Sequence, residues 1–337
     1  MKFKSKISLF LALVFSLSCL LISCNKEDDK SLKKVRLSEV VRSIFYAPMY
    51  VAINEGYFKE EGLDIDLSTA QGADKVMQNV LSKNADIGFC GPEQVIYIYN
   101  QGRDDYPVLF SKLTNRDGSF LVSREDSKNF SWSDLKGKEI IGGRPGGVPE
   151  MALEYVLNKN NIVPNKDVTM VTNIDFTATS GAFKSGKADY VSLFEPTASM
   201  LQKEGSGKIV SSIGESAGEM PYTSFFATKS YMDENKDTIA SFTKAIYKGQ
   251  QYVNSNSSKD IAEKIKSFFP GTEEDIIISV IDNYKKIGAI AKDPVITEEG
   301  LNHLMDIISK YDSSLIKSRP PFKDIVTNEF TDKLNID

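Results

Sequence analysis

The residues that could do chemistry are few, and their types favour binding over catalysis. His303 is the only histidine in the 337 residues and falls in a predicted C-terminal helix. A His-based catalytic triad and a multi-histidine metal site are therefore excluded. Gly142, Gly143, Gly146 and Gly147 form a cluster whose spacing matches no nucleotide-binding fingerprint. We expect no enzyme activity, no cofactor and no metal.

Charged residues at predicted strand ends and helix starts indicate a site for a small solute. Glu93 and Glu195 each follow a predicted strand, where a carboxylate would pair an amine or the edge of an aminopyrimidine. Arg144 could instead bind a sulfonate, carboxylate or phosphate with two hydrogen bonds. The helix starts at 72–74, 91–93 and 146–148 also attract anions through their free N–H groups. A ligand that carries both an amine and an acidic group would use both kinds of residue, so the charge of the ligand stays open.

The complete set of predicted ligand-binding residues combines strand ends, helix starts and two segments that cross between lobes. It comprises Ser43, Phe45, Tyr46, Gln71, Gly72, Cys90, Gly91, Glu93, Asn115, Arg144, Gly146, Gly147, Glu195 and Tyr222. The three aromatic residues could stack on a planar ligand, and Gln71 and Asn115 offer neutral donors and acceptors. The alternatives are core packing for the aromatic residues, turn formation for the glycines, helix-start stabilisation for the glutamates and a solvated loop charge for Arg144.

Alternating strands and helices would position these residues. In the stretch 43–67, Pro48 suits a first helical turn, and Leu63, Ile65 and Leu67 then alternate with polar residues as in a half-buried strand. Strand, helix and strand together predict a βαβ unit beside a parallel sheet. Ligands of such sheets bind at the carboxyl ends of the strands.

A repeated pattern indicates two similar halves. Ala85 and Asp86 begin one strand that runs to Gly91-Pro92-Glu93, and Ala188 and Asp189, 103 residues later, begin another that runs to Glu195-Pro196. Both segments predict a helix, a short turn, a strand and a second helix, in that order. Beyond residue 228 the chain is predicted to be helical, and we expect those helices to brace the lobes.

Four segments resemble solute-binding proteins of ABC importers, in the large group that serves sulfonates, taurine and thiamine-precursor pyrimidines. They are APMYVAINEGYFKEEGLDIDL from 47, ADIGFCGPE from 85, DLKGKEI from 134 and ADYVSLFEP from 188. The resemblance implies an α/β, two-lobed type II periplasmic-binding-protein fold with a ligand cleft between the lobes and a helical C-terminal segment. We expect 35–118 plus 223–337 to form lobe 1 and 119–222 to form lobe 2.

The same resemblance implies a receptor that delivers a small organic solute to an ABC permease and its ATPase. The alternatives are a pyrimidine- or menaquinone-pathway enzyme on the same fold, or a lipoprotein that senses its ligand. Such enzymes carry a cysteine-rich signature and an active-site histidine, and they work inside the cell. Cys90 is not part of a cysteine-rich motif, which argues against the enzyme alternative.

The N-terminus predicts export and anchoring. Three lysines precede an apolar run, and Leu21-Ile22-Ser23-Cys24 resembles the lipobox of bacterial lipoproteins. We expect 1–23 to be a signal peptide, Cys24 to be lipidated and 24–34 to be a flexible tether at the extracytoplasmic face of the cell membrane. The formal charge of −5 gives no indication of nucleic-acid binding. The chain is expected to act as a monomer.

Overall fold

A computed structural model describes residues 32–125, 129–334 and 336. The predicted signal peptide, Cys24 and the tether up to residue 31 lie outside the described residues. The last two tether residues, Lys33 and Lys34, already belong to the first strand. Residues 34–337 form one compact unit. Among the described helices, none has the length and apolar content needed to cross a membrane.

Ten strands form two five-stranded sheets. The first sheet has the order β2-β1-β3-β10-β4 and the second β7-β6-β8-β5-β9. The strands are β1 (Lys33–Glu39), β2 (Leu63–Thr69), β3 (Ile87–Cys90), β4 (Pro107–Thr114), β5 (Ser119–Ser123), β6 (Glu139–Ile141), β7 (Thr169–Val171), β8 (Tyr190–Phe194), β9 (Lys208–Ser212) and β10 (Thr223–Thr228).

Helices cover the sheets and make up most of the chain after β10. They are α1 (Ala47–Asn54), α2 (Tyr57–Glu60), α3 (Ala73–Leu81), α4 (Glu93–Tyr99), α5 (Val148–Lys159), α6 (Thr179–Lys184), α7 (Thr197–Lys203), α8 (Ile213–Ala217), α9 (Lys229–Glu234), α10 (Lys236–Ser255), α11 (Ser258–Ile265), α12 (Glu274–Lys286), α13 (Glu298–Tyr311) and α14 (Phe322–Ile325). Short 3₁₀ helices lie at Ile44–Tyr46, Trp132–Leu135, Phe176–Ala178, Lys266–Phe268 and Ser313–Leu315. The predicted α/β class and helical C-terminal segment are confirmed.

The two sheets repeat one arrangement. Parallel pairs β1–β3 and β6–β8 hold equivalent places, and the strands that follow the crossings, β10 and β5, lie antiparallel beside β3 and β8. The Asp86 carboxylate accepts a hydrogen bond from the Arg36 N–H at 2.8 Å, and the Asp189 carboxylate accepts one from the Glu139 N–H at 2.9 Å. Both members of the second pair lie 103 positions after those of the first, so the sequence repeat is a structural repeat.

The chain passes between the two sheets twice. The chain leaves β4 for β5 through residues 115–118 and returns from β9 to β10 through residues 213–222. The strands of the first sheet come from 33–114 and 223–228, and those of the second come from 119–212. This membership fits the predicted lobe boundaries, which remain a prediction because 34–337 is one unit by its contacts.

Burial on both faces explains why three strands show little alternation of polar and apolar residues. Every residue of β3, β5 and β10 is buried, as expected for strands covered on both faces. Helix α1 is buried from Ala47 to Ala52 and packs against α10, where Gly249 allows close approach: a Cβ atom there would lie 2.1 Å from the Pro48 carbonyl oxygen. The loop before α1 is thereby fixed against the core.

Candidate functional site

An aromatic cluster lies where strand ends of the two sheets meet. The Phe45 ring stacks on Tyr284 of α12 with centroids 4.3 Å apart, and it lies 6.1 Å from both Tyr46 and Tyr222. Tyr222 is also 6.5 Å from Phe194, at the end of β8. Phe45, Tyr46 and Tyr222 are all buried. Three aromatic residues of the predicted site are therefore brought together at the junction of the sheets.

A buried carboxylate positions the loop that carries Phe45. Glu39, at the end of β1, accepts hydrogen bonds from the Tyr50 hydroxyl at 2.7 Å and the Thr69 hydroxyl at 2.9 Å, and it pairs with Arg42 at 3.0 Å. The Tyr50 oxygen in turn accepts the Ser43 N–H at 3.3 Å. The Ser43 hydroxyl accepts the Phe45 N–H at 3.3 Å and caps the Ile44–Tyr46 turn. Ser43 thus supports the site through its loop.

Glu93 begins α4, and its charge acts on Tyr46 and Tyr222 of the aromatic cluster. It is 3% exposed, and its Oε2 has no hydrogen-bond partner among the described residues. Burial raises the pKa of this carboxyl to about 7, against weaker lowering influences that include the Gln94 amide and the Arg144 charge. Gly91 makes the room, because a Cβ atom there would lie 2.0 Å from Oε2. A hydrogen-bond donor from a ligand would satisfy this oxygen.

Asp117, in the first crossing, is a second buried carboxyl group of the same kind. Its Oδ1 accepts hydrogen bonds from the Ser119 N–H, at 2.7 Å, and from the Ser119 hydroxyl. The Tyr222 hydroxyl lies within hydrogen-bonding reach of this carboxyl group and lowers its pKa, although Oδ2 makes no hydrogen bond of ordinary geometry within the described chain. Burial is the larger effect and raises the pKa of Asp117 to about 6. Sequence reasoning missed this residue.

Glu195, the predicted counterpart of Glu93, is placed differently. Its carboxylate accepts the Ser199 N–H at 2.8 Å, the Ser199 hydroxyl at 2.7 Å and the Asn283 amide at 2.7 Å. Its backbone N–H donates to the Tyr284 hydroxyl at 3.3 Å, which ties it to the aromatic cluster. A ligand at Glu195 would have to compete with these three bonds.

The loop after β6 carries the predicted residues of the second sheet. Arg144 is exposed and lies within electrostatic reach of Glu93 and Tyr97. Gly146, with a φ of +74°, donates its N–H to the Tyr311 hydroxyl of α13 at 3.3 Å, and Gly147 precedes α5. The loop therefore contacts the C-terminal segment through Gly146 and acts on the first sheet through Arg144.

The remaining predicted residues have varied surroundings. Gln71 is exposed and Gly72 caps α3, and no described interaction joins either to the aromatic cluster. Cys90 is buried beside Glu93, and burial raises the pKa of its thiol. Asn115 accepts a hydrogen bond from Lys112 at 3.0 Å and lines an open groove of about 780 Å³ beside α13. That groove does not include the aromatic cluster.

Three residues that the structure buries near these elements were not predicted, and one of them, Glu150, leaves a sequence signal. Glu150 lies on the apolar face of α5, three and seven positions before Leu153 and Leu157, where a charge is unexpected. Asp117 precedes Gly118, and a Cβ atom at Gly118 would lie 2.5 Å from the Phe45 ring. Tyr284 is one of several apolar residues in α12 and gives no signal. Among the described residues no group of three or more His, Cys, Asp or Glu is arranged to hold a metal ion.

The fold and the buried junction between its sheets define the class of periplasmic binding proteins of type II. The family model described as "NMT1/THI5 like" matches residues 44–259, and the chain belongs to that family. The chain is 46% identical over 314 residues to a protein of Bacillus subtilis (strain 168) that is described as "Putative binding protein YtlA", with 93% of each chain covered. It is 26% identical over 256 residues to a formylaminopyrimidine-binding protein of Halalkalibacterium halodurans, with 74% of each covered.

Solved structures show the same fold at lower identity. The alkanesulfonate-binding protein SsuA from Xanthomonas axonopodis pv. citri superposes with a TM-score of 0.68 at 15% identity, covering 87% of this chain and 98% of that one. The predicted family group and the predicted two-lobed fold are thus confirmed.

Proposed function

We propose that this protein is an extracytoplasmic receptor of an ABC importer and that its solute is a planar, nitrogen-rich compound of the aminopyrimidine class. One observation carries the choice of solute: Glu93 is buried beside an aromatic cluster and keeps one carboxylate oxygen without a partner among the described residues. Asp117 is a second buried carboxyl group at the same cluster, with the Tyr222 hydroxyl as its neighbouring donor. A buried acceptor without a donor costs about 1–3 kcal/mol, and ring N–H or amino groups would recover that energy.

The same geometry disfavours a sulfonate or other anion. A sulfonate group offers acceptors only, and it would place negative charge beside two carboxyl groups. Arg144, the cation expected to bind them, is exposed. The faces of Phe45, Tyr46 and Tyr222 suit a flat ring, which stacks on aromatic side chains. The relative that binds formylaminopyrimidine supports this choice, although it is only 26% identical.

Binding without turnover is the second part of the proposal. The two relatives are described as binding proteins. Burial of the site between two sheets fits a receptor that closes over its solute and is then recognised by a permease. The lipobox at 21–24 supports anchoring through Cys24, which a Cys24→Ser variant would test by its release from the membrane fraction.

The test is a comparison of ligands on the purified domain from residue 25 onward. We expect 4-amino-2,5-dimethylpyrimidine to raise the melting temperature, since a ligand at 100 times its Kd adds about 2.7 kcal/mol. Taurine and an alkanesulfonate at equal concentration should leave it unchanged. Stabilisation by the sulfonates and not by the pyrimidine would reject the proposed solute class, and chemical conversion of the pyrimidine would reject the receptor role.

A further inference from the structure

The last turn of α12 is bonded to both halves of the fold, each half being one sheet with the helices that pack beside it. On one side, the Lys285 ammonium donates to the carbonyl oxygens of Val253 at 3.0 Å and Asn256 at 2.8 Å, at the end of α10. On the other side, the Asn283 amide donates to the Glu195 carboxylate at 2.7 Å. Helix α10 packs on α1 in the first half, whereas Glu195 directly follows β8 of the second sheet. One turn of helix therefore joins the two halves.

Tyr284, the next residue along, connects this turn with the aromatic cluster. Its ring stacks on Phe45 of the first half with centroids 4.3 Å apart, and it lies 6.1 Å from Phe120 of β5 in the second half. Its hydroxyl oxygen accepts the Glu195 N–H at 3.3 Å. Adjacent side chains of α12 thus hold Glu195 twice, by its backbone through Tyr284 and by its carboxylate through Asn283.

Burial indicates which contact between α12 and the second half matters most. Lys203 of α7 forms ion pairs with Glu273 at 2.8 Å and Asp275 at 3.3 Å, at the start of α12, but all three side chains are more than half exposed. Exposed ion pairs contribute little and are screened by salt. Glu195 is only 3% exposed, and a hydrogen bond to a buried carboxylate is among the stronger ones. The bond from Asn283 should therefore outweigh the ion pairs.

Asn283 can act on the site only through its neighbours. Its described side-chain bonds go to the Glu195 carboxylate and, at 3.5 Å, to the Ser199 hydroxyl, and none of them reaches Phe45. Separation of the two halves would break these bonds and the bond between Glu195 and Tyr284. It would also take away the contact of Tyr284 with the second half, while the stacking on Phe45 would stay. A solute at the aromatic cluster is enclosed only while these bonds hold.

We propose that Asn283 and Tyr284 are positioning residues: by holding Glu195, they keep the two halves together around the aromatic cluster and set how long a solute stays bound. This inference rests on the proposed receptor function and is independent of the class of solute. It gives Glu195 a role in closure in place of the direct ligand contact expected from the sequence. Because Asn283 does not touch the solute, its loss should act on dissociation more than on association.

Asn283→Ala tests the inference, with 4-amino-2,5-dimethylpyrimidine as the probe in stopped-flow fluorescence. We expect the dissociation rate to rise about fivefold or more and the association rate to stay within about twofold. Tyr284→Phe removes the hydroxyl and keeps the ring, so it should change the rates in the same direction by a smaller factor.

A second readout measures the separation of the halves directly. Spin labels are attached at Lys59→Cys and Lys166→Cys, which are exposed positions in the first and the second half, while the native Cys90 is buried. Electron resonance then gives the distribution of distances between the labels. Asn283→Ala should increase the share of long distances, both with and without the probe.

Asn254→Ala is the matched control for both readouts. The Asn254 amide donates to the carbonyl oxygens of Gln250 at 2.8 Å and Ala291 at 3.4 Å, and neither belongs to the second half. This substitution should lower the melting temperature and leave the rates and the label distances unchanged.

The outcomes separate this inference from the proposed function. If Asn283→Ala changes the dissociation rate and the label distances no more than Asn254→Ala does, the role of Asn283 is wrong while the receptor function stands. If the wild-type protein does not bind the probe, the proposed solute class fails, and the label distances of the proteins without probe decide the role of Asn283. Should Asn283→Ala not fold, the same comparison with Tyr284→Phe decides.

Discussion

Two glutamates at matching places of a repeat have opposite surroundings. Glu195 is surrounded by donors and accepts three hydrogen bonds, whereas Glu93 keeps one buried oxygen without a partner among the described residues. The order of glutamate and proline is reversed between the two motifs, which puts Glu93 inside its helix and Glu195 before its own. A shift of one position thus separates a carboxylate that bonds to the first turn of its own helix from one that keeps an oxygen without a partner among the described residues.

At the residue scale, Glu93→Gln should stabilise the ligand-free protein and weaken solute binding. At pH 8 the wild-type carboxylate is charged in a site that raises its pKa from 4.5 to about 7. One pKa unit corresponds to about 1.4 kcal/mol, so removal of the charge should add up to roughly 3 kcal/mol to the free energy of unfolding. Urea unfolding at pH 8 measures the change in stability, and calorimetry with 4-amino-2,5-dimethylpyrimidine measures the change in binding.

Glu195→Gln provides the contrast for that experiment. Its carboxylate accepts three hydrogen bonds, so an amide group would place a donor against donors and should lower the unfolding free energy by about 1–3 kcal/mol. Equal destabilisation by both substitutions would mean that Glu93, like Glu195, is satisfied within the fold.

At the scale of elements, the strands were predictable because their patterns are local. The alternation of Leu63, Ile65 and Leu67 predicts β2, and the two Ala-Asp motifs stand directly before β3 and β8. The strand β9 was missed, because Lys208–Ser212 is polar and half-buried and lies at an edge of its sheet.

The candidate site was harder to predict because its contacts are long-range. The stacking of Phe45 on Tyr284 joins residues 239 positions apart, and nothing local to α12 distinguishes Tyr284 from its apolar neighbours. Asp117 belongs to the polar stretch 114–118, whose composition is typical of an exposed turn, and the sequence does not show that this turn is buried. The burial of these groups follows from the packing of the two sheets, which no single segment encodes.

Helix α1 depends on one close contact, and Gly249→Ala should displace it. In a free helix this change adds about 1 kcal/mol of stability. Here the new Cβ would lie 2.1 Å from the Pro48 carbonyl oxygen and 3.2 Å from Ala52, so α1 must move. We expect a net loss of about 1–3 kcal/mol in unfolding free energy and weaker solute binding, because the Phe45 loop leads directly into α1.

Gly181→Ala is the control for that change. Gly181 is an exposed helical glycine of α6 with no atom within 4 Å of a Cβ built on it, so the substitution should be neutral or slightly stabilising. A Gly249→Ala protein as stable as Gly181→Ala would show that α1 and α10 separate without cost.

At the scale of the whole molecule, the C-terminal segment holds the two sheets together. The Tyr155 ring of α5 contacts His303 with centroids 5.5 Å apart, and Lys310 lies 4.8 Å from the same ring. Tyr311, which lies in α13 with His303 and Lys310, accepts the Gly146 N–H through its hydroxyl oxygen. Val326, directly after α14, pairs with Leu109 of β4. These contacts agree with the expectation that the last helices brace the lobes.

The raised carboxyl pKa values predict how the stability of the whole molecule depends on pH. Burial raises the pKa of Glu93 and Glu150 to about 7 and that of Asp117 to about 6. Between the unfolded values near 4 and these folded values, the folded state binds more protons than the unfolded state. Stability from these groups is therefore fully present below pH 4 and is lost as the pH rises through 6 and 7.

We therefore expect the unfolding free energy of the ligand-free protein to fall by several kcal/mol between pH 5 and pH 8. Carboxyl groups with lowered pKa values, such as Glu61 and Asp275, are ionised in both states over this range and do not offset the loss. Urea titrations at four pH values measure this trend. The triple variant Glu93→Gln, Asp117→Asn and Glu150→Gln should flatten it, and a wild-type stability that is constant or rises from pH 5 to 8 would show that these three groups are not held in the environment described.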